Sequence, residues 1–316
     1  MNLSSPIVFE PLFMERVWGG RRLESLYGKR LPVGTRIGES WEIVDRPEAQ
    51  SVVHEGPLRG MTLHELWTQH RESVFGPDLP DSERFPLLCK VIDAQDRLSV
   101  QVHPPANMAP ILGGEAKTEM WYVLDALLES DLYAGLKPGV TRESFERALE
   151  EGVVADQIYH LPVRKGDAIF IPSGRVHAIG AGNIIVEVQQ NSDTTYRVFD
   201  WNRMGVDGRP RDLHVEASLV SINFDDIAPR IAQPTPEGVL VECEFFRVEK
   251  IALSEKCRAD GGDRFAIFTV VEGRVAIGDR EFGVGSFFLV PPVIAYHELC
   301  PVDGPATVLR STIPIP

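Results

Sequence analysis

Short apolar runs punctuate this chain, and one of them alternates polar and apolar residues with the two-residue period of a β-strand. That run is LSVQVHPP, Leu98 to Pro105. Successive strand residues point to opposite faces, so Ser99, Gln101 and His103 share one face. On a solvated face these side chains carry no message; on an enclosed face they form a site. Similar short runs, rich in β-branched and aromatic residues and bounded by Gly, Pro or Asp, recur throughout. They read LLCKVIDA, EMWYVLDA, DLYAGL, DAIFIP, NIIVEVQQ and TYRVFDW, then FFRVEKIAL, RFAIFTVVEG, RVAIG, SFFLVP and ATVLRSTI. So many short strands predict a mainly β protein of the sandwich or jelly-roll type.

Helices are few. Thr62-Leu63-His64-Glu65 is a capping box that predicts a helix reaching about Val74, with Leu63, Leu66 and Trp67 facing a core. A second helix is expected from Thr141 to about Glu151, stopped by Gly152, and a third from about Val215 to Val220. The Pro-rich, acidic stretch from Ser221 to Gly238 reads as a linker. The expected division is therefore a larger domain over 1–224, and a linker with a smaller domain over 225–316.

Composition narrows the function classes. Of 316 residues, 43% are hydrophobic and 25% charged, as in soluble globular proteins. A net charge of −14 argues against a nucleic-acid binder and against an anionic membrane surface as partner. A small phosphorylated substrate remains open, because a few local cations decide that. The four cysteines form no CxxC pair, which suits reduced thiols. With no evident signal peptide and no apolar run of spanning length, the expected location is the cytoplasm. Gly180-Ala-Gly182 lacks the third glycine of a dinucleotide loop, and no GxxxxGK[ST], HExxH or GxSxG occurs.

The most informative segment is GDAIFIPSGRVHAIGAGN. Gly166-Asp167 turns the chain into a buried strand, Pro172-Ser173-Gly174 turns it out, and His177 begins a strand that returns. Taken alone this could be a hairpin with an incidental histidine. The spacing of Gly166, Pro172, Gly174 and His177 resembles the second metal motif of the cupin superfamily, whose fold is a small jelly-roll barrel. Gln101-x-His103 then stands where cupins carry a His-x-His pair, with Glu119 sixteen residues beyond the histidine. Two imidazoles, a carboxylate and an amide oxygen suit Zn²⁺ or another first-row divalent ion.

The resemblance sharpens to a family. PLFMERVWGGRRL, GTRIGESWEIVD, GPLRGMTLHELW, LLCKVIDAQDRLSVQVHPP, AKTEMWYVLDA, GDAIFIPSGRVHAIG and VEVQQNSDTTYRVFDWNR occur in that order over most of residues 7 to 224. Together they resemble the short bacterial form of the type I phosphomannose isomerases. That resemblance implies a zinc site on Gln101, His103, Glu119 and His177, a catalytic Arg197 and a site Glu187. It also implies a substrate-phosphate site on Ser99, Lys117 and Arg203, where a hydroxyl and two cations suit a dianion. The implied activity is interconversion of mannose 6-phosphate and fructose 6-phosphate through a cis-enediol. The implied partner is the sugar phosphate alone, with no nucleic acid or membrane, and the chain a monomer or weak homo-oligomer.

Rival readings are an isomerase of another sugar phosphate, a non-catalytic sugar-phosphate-binding cupin, and a two-histidine, one-carboxylate iron oxygenase. The last leaves Ser99, Lys117, Arg197 and Arg203 without a purpose. Residues 239 to 316 resemble a degenerate second cupin barrel. Gly285 and Pro291 recur there, but Val293 replaces the turn glycine, Tyr296 takes the histidine place and His297 comes one residue late. That barrel is expected to bind no metal. His54, His64, His70, His160 and His214 are expected at the surface or in loops, with His54 of interest because it follows the WEIVD segment.

Overall fold

The computed structural model describes residues 5–259, 262–292 and 298–314. Its elements are mainly β, with five short α-helices among the described residues. None is long and apolar enough to cross a membrane. By backbone contacts the chain forms two units. One comprises Met1–Leu12, Trp41–Lys90 and Gln233–Pro316, the other Phe13–Ser40 and Val91–Ala232. This partition is discontinuous, whereas the sequence reading drew a single cut after residue 224. The contacts that set it join segments distant in sequence, which no local composition change marks.

The unit of Phe13–Ser40 and Val91–Ala232 is built on two sheets. In the first, the strands run in the order Leu12–Gly20, Ile37–Ile43, Leu87–Ala94, Asn183–Gln190, Glu119–Ala126, Ala168–Ile171. In the second, the order is Tyr196–Phe199, Val100–Val102, His177–Ile179, Asp131–Leu136, Ile158–Pro162. Trp121, Val123, Ile169 and Ile185 of the first sheet pack with Leu132, Ala134, Leu161 and Ile179 of the second. The other side of the second sheet carries Val100, Val102, Ala178, Tyr196 and Val198. Phe145 of the helix Arg142–Glu150 and Ile222, just beyond the helix Val215–Ser221, cover that side. Because the pleat alternates, Ser99 and Gln101 face between the sheets.

The helix Arg142–Glu150 forms where it is expected, and Thr141 caps it. Thr141 accepts from the Ser144 amide, and Phe145 and Ala148 are buried three residues apart. The stretch after Ser221 is not a free tether. Arg175 grips Asp226 with two bonds of 2.7 Å, and the Ala232 amide donates to Ala168 O at 2.7 Å. These pairings seat the chain on this unit as far as Ala232.

In the other unit, the strands Val239–Glu242, Arg247–Leu253, Ala306–Thr312, Ala266–Glu272 and Phe287–Val290 form one sheet in that order. Cys257–Arg258, Glu298–Pro301, Arg274–Ile277 and Arg280–Gly283 form a second. Phe268, Phe288, Val308, Val275, Phe282 and Leu299 meet in the core between them. Val293, Tyr296 and His297 lie outside the described residues.

The Thr62 capping box forms, with the Glu65 amide donating to Thr62 Oγ1 at 3.1 Å and the Thr62 amide to Glu65 Oε2 at 2.8 Å. The helix it opens is shorter than expected. It ends at Gln69, and after a non-helical His70 (φ −129°) a separate helix spans Arg71–Phe75. The break redirects the chain so that Phe75 meets Trp67 at 5.1 Å and Phe265 at 5.3 Å, both edge-on. Edge-on packing of aromatic rings is favourable beyond simple burial, and it outweighs helix continuity here.

Candidate metal centre

His103, Glu119 and His177 come from three separate strand regions. His103 follows Val100–Val102, Glu119 opens Glu119–Ala126 and His177 opens His177–Ile179. Their ligating atoms lie within 4.8 Å of one another, and all three residues are buried. Cross-strand register explains the convergence: His177 stands opposite Gln101, and Gln101 opposite Arg197. Directly paired residues share a face.

Gly174 fixes the loop that delivers His177. It has φ +88° and donates its amide to His103 O at 2.8 Å, tying the two histidine-bearing segments together. A Cβ here would meet Ser221 O at 3.3 Å, in a backbone region side chains rarely adopt.

The tautomers follow from the backbone. His103 Nδ1 is 2.8 Å from Thr194 O and His177 Nδ1 is 2.8 Å from Arg175 O. A carbonyl only accepts, so each Nδ1 carries the hydrogen and each Nε2 presents a lone pair. Both Nε2 atoms lie 3.5 Å from Glu119 carboxylate oxygens, too far for good hydrogen bonds. Burial, then His103 and Lys117, pushes His177 down to about 3. Burial and Lys117 push His103 down as well. Both rings are therefore neutral. His103 Nε2 and Glu119 Oε1 are buried with no hydrogen-bond partner. Leaving such atoms unmet costs about 1–3 kcal/mol each. Neutral imidazoles beside a carboxylate, with open lone pairs aimed at one point, are what a divalent cation requires.

The charges around this point are arranged to the same effect. Lys117 Nζ lies 2.6 Å from Glu119 Oε2 and 3.4 Å from Glu187 Oε1. Burial alone would lower Lys117, but these carboxylates outweigh it and its pKa rises. Burial would raise Glu119, yet Lys117 and the histidines hold it well below the usual carboxylate range. Lys117, Glu119 and Glu187 together carry one net negative charge.

Of the other expected site residues, Ser99, Gln101, Lys117 and Glu187 are brought to this cluster. Gln101 Nε2 is 3.2 Å from His177 Nε2, and its Oε1 is 3.4 Å from Ser99 Oγ. The amide nitrogen, not the oxygen, faces the histidine; half a turn of the amide exchanges them. Arg197 shares Gln101's face through strand pairing, but its Nη1 donates to Asp212 O at 2.8 Å. Arg203 is held elsewhere. Its Nε donates to Asp200 Oδ1 at 3.0 Å, and its Nη1 to Arg97 O. His54 pairs with Glu10 at the surface, 3.4 Å away.

Sequence reasoning missed Trp121, whose indole donates to Glu187 Oε2 at 2.9 Å. Alternation could have found it, since it lies two residues after Glu119 on one strand. It also missed Asp200 and Arg211. Arg211 grips Asp200 through Nε at 2.7 Å and Nη2 at 2.5 Å, and no motif spacing announced that pair.

The comparisons agree with one another. Residues 8–126 match the family model described as phosphomannose isomerase type I, catalytic domain. The chain is 37% identical over 300 residues to mannose-6-phosphate isomerase ManA of Bacillus subtilis, covering 91% of this chain and 93% of that one. It is 36% identical over 319 residues to mannose-6-phosphate isomerase of Streptococcus mutans, covering 96% and 98%. The crystal structure of the Bacillus subtilis mannose 6-phosphate isomerase superposes with a TM-score of 0.87 at 30% identity, covering 98% of this chain and 100% of that one.

Proposed function

Because this chain belongs to the type I phosphomannose isomerase family, we propose that it is a metal-dependent aldose–ketose isomerase interconverting mannose 6-phosphate and fructose 6-phosphate. The observation that carries this reading is the buried His103–Glu119–His177 cluster with its unmet ligand atoms. We assign the metal to His103, Glu119, His177 and Gln101, and its identity to zinc, which suits two imidazoles, a carboxylate and an amide oxygen. When bound, the metal supplies a positive charge beside the sugar oxygens.

The reaction moves a proton between C2 and C1, and negative charge appears on the carbonyl oxygen as the C–H bond breaks. Arg197 lies on the face of Gln101 and is assigned to stabilise that charge. Its release from Asp212 O exchanges one backbone acceptor for the developing oxyanion. Glu187 is assigned as the proton carrier, oriented by the Trp121 indole. An ammonium has three donors, and Lys117 directs two towards carboxylates, leaving one for a substrate oxygen. Ser99 and Lys117 then grip phosphate, joined by Arg203. Arg211 also holds Asp200, so Arg203 can turn without leaving that buried carboxylate unpaired. The buried wall of the cluster excludes water that would quench the enediol. All these residues fall within 1–224, the part to which we assign catalysis; the remainder we take to be metal-free and structural.

Metal analysis of the purified protein, coupled to an assay on mannose 6-phosphate, tests the proposal. One equivalent of metal and metal-dependent production of fructose 6-phosphate are expected. Metal-free protein with full turnover, or metal-loaded protein inert on this substrate, would overturn it.

A further inference from the structure

Gln189 carries a polar atom with nothing to bond. It stands directly opposite Glu119 on the neighbouring strand, just as Glu187 stands opposite Trp121. Directly paired residues share a face, so Gln189 lies on the face that carries Glu119, Trp121 and Glu187. That face is turned towards the second sheet, since Trp121, Val123 and Ile185 pack with Leu132 and Ile179. Gln189 is fully buried, and its Oε1 has no hydrogen-bond partner among the described residues.

The orientation of this amide is fixed. Its Nε2 donates to Gln190 O and to Ser192 O, each at 2.7 Å. Turning the amide over would set its oxygen against two carbonyl oxygens, which only accept. The nitrogen of Gln189 thus has a structural task, and the oxygen is left as an open acceptor on the face of the cluster. A buried acceptor without a donor is costly, and native interiors rarely keep one without use. The missing donor is not phosphate, because a phosphate dianion offers acceptors alone. Nor is it an oxygen on C1 or C2 of the sugar, where negative charge grows during isomerisation and an acceptor would oppose it. Four residues are already assigned to the metal. What remains is a hydroxyl that keeps its proton throughout the reaction.

We propose that Gln189 is a substrate-binding residue, whose Oε1 accepts a hydrogen bond from a hydroxyl on C3, C4 or C5 of the sugar. This rests on the isomerase reading and adds a specificity contact to it. A substrate lacking that hydroxyl leaves the buried oxygen unpaired and is rejected for that reason.

The test is steady-state kinetics of the full-length, metal-loaded protein on mannose 6-phosphate and on its 3-, 4- and 5-deoxy analogues. With the wild-type chain, one analogue should lose roughly tenfold or more in kcat/KM, the scale of one hydrogen bond whose partner is left buried. Gln189→Met keeps the length of the side chain without its oxygen. It should lose a similar factor on mannose 6-phosphate and little on that one analogue, with its metal content unchanged. A merely structural role for Gln189 would instead lower every substrate alike. Gln189→Leu takes its place if the methionine variant fails to fold. The proposal is overturned if the wild type handles all three analogues as well as mannose 6-phosphate. It is also overturned if the variant lowers all substrates by one factor, or if it loses the metal, since the oxygen would then serve the cation. A metal-loaded wild type inert on mannose 6-phosphate overturns the isomerase reading, and this contact with it.

Discussion

His103 and His177 each give up one ring nitrogen to a backbone carbonyl, and that leaves a lone pair on the other. His177→Ala should therefore lose bound metal and turnover together, read by metal analysis and the isomerase assay. Stoichiometric metal with near-normal turnover in this variant would remove the cluster from consideration. Arg197 and Arg203 separate at the same scale. Arg197→Ala should lower kcat roughly 10²–10³-fold, the scale of one preorganised charge-stabilising donor. Arg203→Ala should chiefly raise KM, as loss of uniform ground-state and transition-state binding does. Steady-state kinetics on mannose 6-phosphate, with metal content checked, decides between them; exchanged effects would reverse the assigned roles. His103, Glu119 and His177 were legible through their resemblance to the metal motifs of a known family. Asp200 and Arg211 were not, since an ion pair across a loop leaves no period to read.

At the scale of elements, the Thr62 cap and the Gly174 turn invite direct tests. Thr62→Ala removes the acceptor for the Glu65 amide and should cost about 1 kcal/mol, measured as a lower urea midpoint. An unchanged midpoint would mean the helix start draws its stability from packing alone. Gly174→Ala forces a Cβ into φ +88° and should cost about 1–2 kcal/mol. It should also lower turnover more than Thr62→Ala does, because its amide fixes the carbonyl of His103. Equal turnover in the two variants would show that this link does not position the site. Strands rich in β-branched and aromatic residues, such as Glu119–Ala126 and Asn183–Gln190, were legible to the residue. Leu12–Gly20 and Ile37–Ile43 were not. All seven residues of Ile37–Ile43 are buried, Glu39 and Ser40 included, so no polar face marks the pleat. The split at His70 was equally hidden, because ring packing between Phe75 and residues elsewhere in the chain decides it.

For the whole molecule, the unmet ligand atoms predict that metal contributes to stability as well as activity. A ligand that binds only the folded state stabilises it by about 2.7 kcal/mol at a hundred times its Kd. Chelation should therefore lower the Tm and abolish turnover, and stoichiometric zinc should restore both. Magnesium, which prefers all-oxygen ligands, should restore neither. A chelated protein with unchanged Tm and turnover would leave the buried cluster without a cation to explain it.

By itself the sequence determined a mainly β fold and most of its strands, and resemblance to known motifs singled out His103, Glu119 and His177, which the structure gathers into one buried cluster. The strands were legible because a strand has a period of two and turns need particular residues; the cluster was legible only through the resemblance. The tertiary structure decided what no local pattern encodes. It joined Trp41–Lys90 with Gln233–Pro316 in one unit. It set the Trp121 indole on Glu187 and assigned the hydrogen of each imidazole. It also placed Arg247, Glu249 and Arg310 on the inner face of a sheet. Each of these depends on which strands become neighbours, and pairing energy between distant segments exists only once the chain has closed on itself.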